Sequence, residues 1–124
     1  MIRFAASTFV AVALSSGFVV RAEAPASFGR SSKLYHVAEQ RYLQCIKVET
    51  RAKPLLADPI ALAKRTLKTC ASDAKVMDQY LNEMRIFAVV ESPSAGDYAD
   101  YVIQAAEAII TCRSQGKPER VCAS

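Results

Sequence analysis

The sequence predicts an all-α fold, a small antiparallel three-helix bundle closed by two disulfides. Three observations lead there. From Pro59 to Val90 the apolar residues Ile60, Ala63, Leu67, Cys70, Ala74, Met77, Leu81, Met84 and Ala88 recur in steps of three and four, a helical period that strands do not show. Stretches on either side repeat that period and are set off by Pro54 and by the break from Glu91 to Gly96. The 124 residues also carry four cysteines, and an even number in a small exported chain reads as a disulfide framework.

Export is expected from the first residues. Met1-Ile2-Arg3 is a short basic start, Phe4 to Val20 is apolar or small without a charge, and Ala22, Ala24 and Ala26 follow. This is the pattern of a secretory signal peptide over residues 1–26, with cleavage expected after Ala22 or after Ala26. As an uncleaved anchor the run is short, since a span takes about 20 residues, and Ser15, Ser16 and Gly17 weaken it. No later stretch reads as a transmembrane segment. The expected product is a single helical domain, residues 27–124, periplasmic or secreted.

The helices follow in order. Ser27 to Lys33 reads as a short mobile lead, with Ser31 or Ser32 able to cap a first helix over about 33–53. Leu34, Ala38, Cys45, Val48 and Ala52 form its expected stripe, widened by Val37, Tyr42 and Ile46. Pro54 ends it, because the residue before a proline leaves the α region. Asp58 and Pro59 open the second helix, the acid as cap and the proline at a position that needs no N–H. That helix is expected over about 59–91, or as two helices if it breaks near Ser72, where Ser72-Asp73 offers a cap. Ser94, with Asp97 three residues on, can cap a third helix over about 95–115. Its stripe is Tyr98, Val102, Ala105, Ile109 and Cys112, and Gly116 and Pro118 stop it before a disulfide-tied tail, 116–124.

The short connection between the first two helices makes them antiparallel and gives a register. With Ala52 set beside Ala63, Cys45 meets Cys70, Ala38 meets Met77 and Leu34 meets Leu81. Every position falls on its own helix's stripe and two cysteines land opposite each other, which predicts Cys45–Cys70. The third helix is then expected to run back along the second, with Ala105 near Leu81 and Ile109 near Met77, and Cys112 is expected to pair with Cys122. The remaining pairings stay open, because Cys112 falls about one turn from Cys70. Zinc is the competing use of these cysteines, but the chain has neither a CxxC-like pair nor a second histidine beside His36.

One local resemblance is present. Cys70-Ala71, Asp78 and Leu81-Asn82-Glu83 resemble the Cys-Ala…Asp-x-x-Leu-Asn helix of the periplasmic lysozyme-inhibitor-like proteins, over about a dozen residues. The Cys-to-Asp spacing is one residue shorter, which turns a helix face by about 100 degrees, and no earlier cysteine matches. The resemblance therefore carries no site residue onto this chain.

Charge supplies the candidate site. Removing the leader's Arg3, Arg21 and Glu23 leaves 14 basic and 11 acidic side chains, net +3. Residues 27–76 hold ten Lys or Arg against Glu39, Glu49, Asp58 and Asp73, whereas residues 77–111 hold six acids against Arg85. Lys47, Arg51, Lys53, Lys64, Arg65 and Lys68 should gather near the first turn as a positive end, suited to an acidic protein or an anionic envelope component. Nucleic acid is not expected, since no aromatic interleaves these charges.

Nothing points to catalysis. The chain has no GxSxG, HExxH or haem-attachment CxxCH, and four glycines are too few for a glycine-rich ligand loop. His36 is the one candidate base and has no evident nucleophile or orienting partner in the local sequence. Met77 and Met84 fall on the seam and read as core. Tyr35, Tyr42, Tyr80, Tyr98 and Tyr101 are expected where the helices meet. The expected function is a non-enzymatic, monomeric exported module that binds, inhibits or associates with the envelope through its surface, with no cofactor or metal. The alternative is a carrier of a small apolar ligand held by Tyr80, Met84, Phe87 and Tyr98.

Overall fold

The computed structural model describes residues 27–122, so the leader and its cleavage positions lie outside the described residues. Those residues form an all-α bundle: α1 over 27–49, α2 over Pro59–Thr69, α3 over Ala71–Arg85, a 3-10 turn over Ala95–Tyr98, α4 over Ala99–Ser114 and a one-turn α5 over Glu119–Cys122. No strand occurs among them.

Helix α1 starts earlier and stops earlier than its period suggested. Residues 27–33 are helical; they are held by Phe28, packed on the core, and by Ser31, whose hydroxyl donates to Glu83 at 3.3 Å. At the other end, the Thr50 hydroxyl donates back to the Ile46 carbonyl at 2.9 Å. The chain then turns through a cis Lys53–Pro54 bond. The buried stripe is Ser31, Tyr35, Ala38, Tyr42 and Ile46; Ala38, Tyr42 and Ile46 are on the expected stripe, while Leu34 and Cys45 lie half-buried at its edge and Val48 and Val37 are exposed. The tyrosines set this face. They have the most apolar area to bury, and a Tyr hydroxyl is tolerated inside when it finds an acceptor; Tyr35 donates to the Pro93 carbonyl at 2.6 Å.

Asp58 caps α2 as expected, accepting from the Ile60 N–H at 3.2 Å, with Pro59 in the first position. The long seam is not one helix. It breaks at Cys70, two residues before Ser72, so the bundle takes the four-helix form plus the short α5. The chain stays hydrogen-bonded across the break, Cys70 N–H to Thr66 O and Ala74 N–H to Cys70 O. Helix α3 ends at Arg85 instead of near Glu91, because Ile86 to Val90 form a loop whose apolar side chains are mostly outside the core.

The cysteine register holds. Cys45–Cys70 joins α1 to the α2–α3 junction and Cys112–Cys122 ties the tail to α4. The Ser31–Glu83 bond extends the same antiparallel pairing along α3. Helix α4 departs from expectation: its main partner among α2 to α5 is α2, not α3. Breaking the seam frees α2 to take that role, and α4 buries Val102, Ala106 and Ile109. Ser94 N–H donates to Asp97 at 3.0 Å, the return arm of a capping box, and the cap opens the 3-10 turn ahead of α4. Gly116, at φ +74°, closes α4 with Gly116 N–H to Arg113 O and Lys117 N–H to Cys112 O, a Schellman ending.

Candidate functional site

The six predicted cations divide by use. Arg65 is a clamp: its guanidinium donates to the carbonyls of Pro54 at 2.6 Å and Ala52 at 3.0 Å, fixing the α1–α2 connection. Its fork of donors matches two carbonyls where a lysine would reach one. Lys64 and Lys68, exposed and four apart on α2, share one outward face. Lys53 is exposed in the connection. Lys47 and Arg51, at the end of α1, border a cleft.

That cleft is the best-formed concave feature at this end, with a volume of about 380 Å³. Ile46 of α1, Thr50 just past its end, Ala105 and Ile109 of α4 and the Cys112–Cys122 pair line it, with Tyr101 and Val121 at the sides. Its lining holds two cations and no acid. A hollow of mixed lining, with Ile109, Tyr101 and Val121 beside Lys47 and Arg51, can seat an apolar group whose neighbour is an anion. The sequence showed the cations but not the hollow, since the hollow needs α4 and the folded-back tail to stand beside the end of α1.

A polar cluster that the sequence did not single out lies farther along α1. Glu39 accepts a short hydrogen bond from the Tyr98 hydroxyl, and its other oxygen is 3.6 Å from His36 Nδ1, an ion pair when the imidazole is protonated. The Tyr35 hydroxyl is 3.5 Å from the same carboxylate; its single proton goes to the much closer Pro93 carbonyl. Tyr98 stacks edge-on with Tyr42 and Tyr101, at 6.1 and 5.9 Å between ring centres. Burial first, then the Glu39 carboxylate, pushes the Tyr35 pKa up to about 12. Tyr98 is raised by burial and then by its bond to Glu39, and Tyr42 by burial and then by Asp78. These hydroxyls stay protonated and act as structural donors. The available signal was the four-residue spacing of Tyr35 and Glu39, which puts both on one helix face.

His36 therefore has a carboxylate beside it, contrary to the reading from local sequence. Its side chain is largely exposed, and all four cysteines are in disulfides, leaving no free thiol among the described residues. Of the residues considered for an apolar ligand, Met84 is closed into the core with Met77, Tyr80 and Tyr98 pack against that core, and Phe87 sits on the exposed loop. Among the described residues no group of three His, Cys, Asp or Glu is placed to hold a metal ion, and no helix is long and apolar enough to cross a membrane. No family model, curated protein or solved structure matches this chain.

Proposed function

We propose that the chain is an exported, non-enzymatic binding module that receives an acidic protein or envelope component at its positively charged hairpin end. The observation that carries this reading is the cleft beside Lys47 and Arg51, where the apolar side chains of Ile109 and Val121 stand among polar surface and the cations have no neutralising acid in the lining. Arg65 holds that end in shape, and Lys53, Lys64 and Lys68 extend its field outward. A rim of this kind speeds encounter with an anionic partner, and the hollow gives the complex an apolar anchor. Export is supported by the leader pattern and by two disulfides, which persist in oxidising compartments.

The test uses a glutamate-rich peptide carrying one leucine. Binding measured by calorimetry should weaken at least tenfold in Lys47→Glu/Arg51→Glu, fall as salt rises, and weaken when the leucine is replaced by glycine. Equal affinity for the double variant and the unaltered protein would remove the hairpin end as the binding surface.

A further inference from the structure

The loop after α3 holds the most exposed large apolar side chains among the described residues. Ile86 is 75% and Val89 96% exposed, and Phe87 between them is half open. Neighbouring bare side chains of this size mark a contact surface. Two observations say what covers it.

The loop lies at the end where α1 begins. Ser31 bonds Glu83 just before the loop and Tyr35 bonds the Pro93 carbonyl just after it, so the first turns of α1 flank both loop ends. Exposed cations stand at that same end: Arg30 and Lys33 on α1 and Arg85 at the close of α3. Glu83 is partly buried and engaged by Ser31, leaving Glu91 and Asp97 as the exposed acids nearest them.

An apolar tip ringed by Arg and Lys is the arrangement that rests on an anionic bilayer, with the apolar groups below the headgroups and the cations among the phosphates. We infer that the loop Ile86–Val89, with Arg30, Lys33 and Arg85, is a peripheral contact surface for an anionic lipid bilayer. It is separate from the hairpin end, which lies beyond the other terminus of α1, about 34 Å away at 1.5 Å per residue over 27–49.

The chain contains no tryptophan, so Val89→Trp supplies a single fluorescent reporter on a side chain that packs against almost nothing. Added to phosphatidylglycerol vesicles, its emission should shift to the blue and be quenched by brominated acyl chains, with a several-fold weaker response to phosphatidylcholine alone. Arg30→Glu/Lys33→Glu/Arg85→Glu in the same background should abolish the response. Ala57→Trp, in the connection at the hairpin end, should stay unquenched, and Ile86→Trp serves as a second reporter from the loop. Loop reporters that remain solvent-like on vesicles, or that respond equally to neutral and anionic lipid, overturn the inference. So does a blue shift that grows with protein concentration in the absence of lipid, which would assign the loop to a second copy of the chain.

Discussion

Tyr98 donates a hydrogen bond to Glu39, and the same carboxylate stands beside Tyr35 and His36. Hydrogen bonds to an ionised group contribute about 1.5–3 kcal/mol. Glu39→Gln keeps the shape and loses the charge, so it should lower unfolding stability by about 1–2 kcal/mol in a urea titration. The same cluster sets an alkaline limit. Tyr35 ionises near 10 in the unfolded chain and near 12 in the fold. Between those values the native state holds a proton that the unfolded state has lost, so stability is fully present below pH 10 and falls as pH rises through that window. Denaturation at stepped pH should show the fall, smaller in Glu39→Gln, where burial and the charges of Asp78 and Asp97 remain. Thr66 makes the opposite case. It is fully buried and its hydroxyl has no partner among the described residues. Thr66→Val removes an unsatisfied polar group at nearly constant shape, and should raise the unfolding midpoint by about 1 kcal/mol equivalent.

At the scale of elements, the caps and stops were legible because each is a local exchange of hydrogen bonds. Asp58 with Pro59, Ser94 with Asp97, and Gly116 behave as their chemistry dictates. The burial of Tyr35 ahead of Leu34 was not legible, since it depends on the ring finding room and an acceptor fifty-eight residues away. The apolar seam gave the helical content and left a break near Ser72 as an alternative, and the break falls two residues earlier, at Cys70. Its three-and-four spacing continues through the junction, while the choice of α2 as partner for α4 is made by packing. The positive end was visible as a count of charges, and the cleft within it was not, because its walls come from three separate elements. The Arg65 clamp belongs to this scale. Arg65→Met should free the 52–57 segment, seen as several-fold faster hydrogen exchange there, with a stability loss of about 1 kcal/mol for bonds that are partly exposed.

Across the whole molecule, two crosslinks of different reach stabilise a small core. In the chain-entropy account a 25-residue closure is worth about 3.5 kcal/mol and a 10-residue closure about 2.7 kcal/mol. Cys45→Ala/Cys70→Ala should therefore cost more than Cys112→Ala/Cys122→Ala in thermal unfolding. The second pair should show its effect elsewhere: releasing the tail opens one wall of the cleft and should weaken peptide binding more than it lowers the melting temperature. The two proposed surfaces lie at opposite ends of α1, the six hairpin cations at one and the apolar loop with Arg30, Lys33 and Arg85 at the other. A backbone amide chemical-shift titration with the leucine-bearing acidic peptide tests the central claim most directly. Shifts confined to Ile46–Lys53, Lys64–Lys68 and the cleft walls at Tyr101, Ile109 and Val121 are the predicted result. Shifts centred on the Glu39 cluster or the α3 surface, with the hairpin end unmoved, would contradict it.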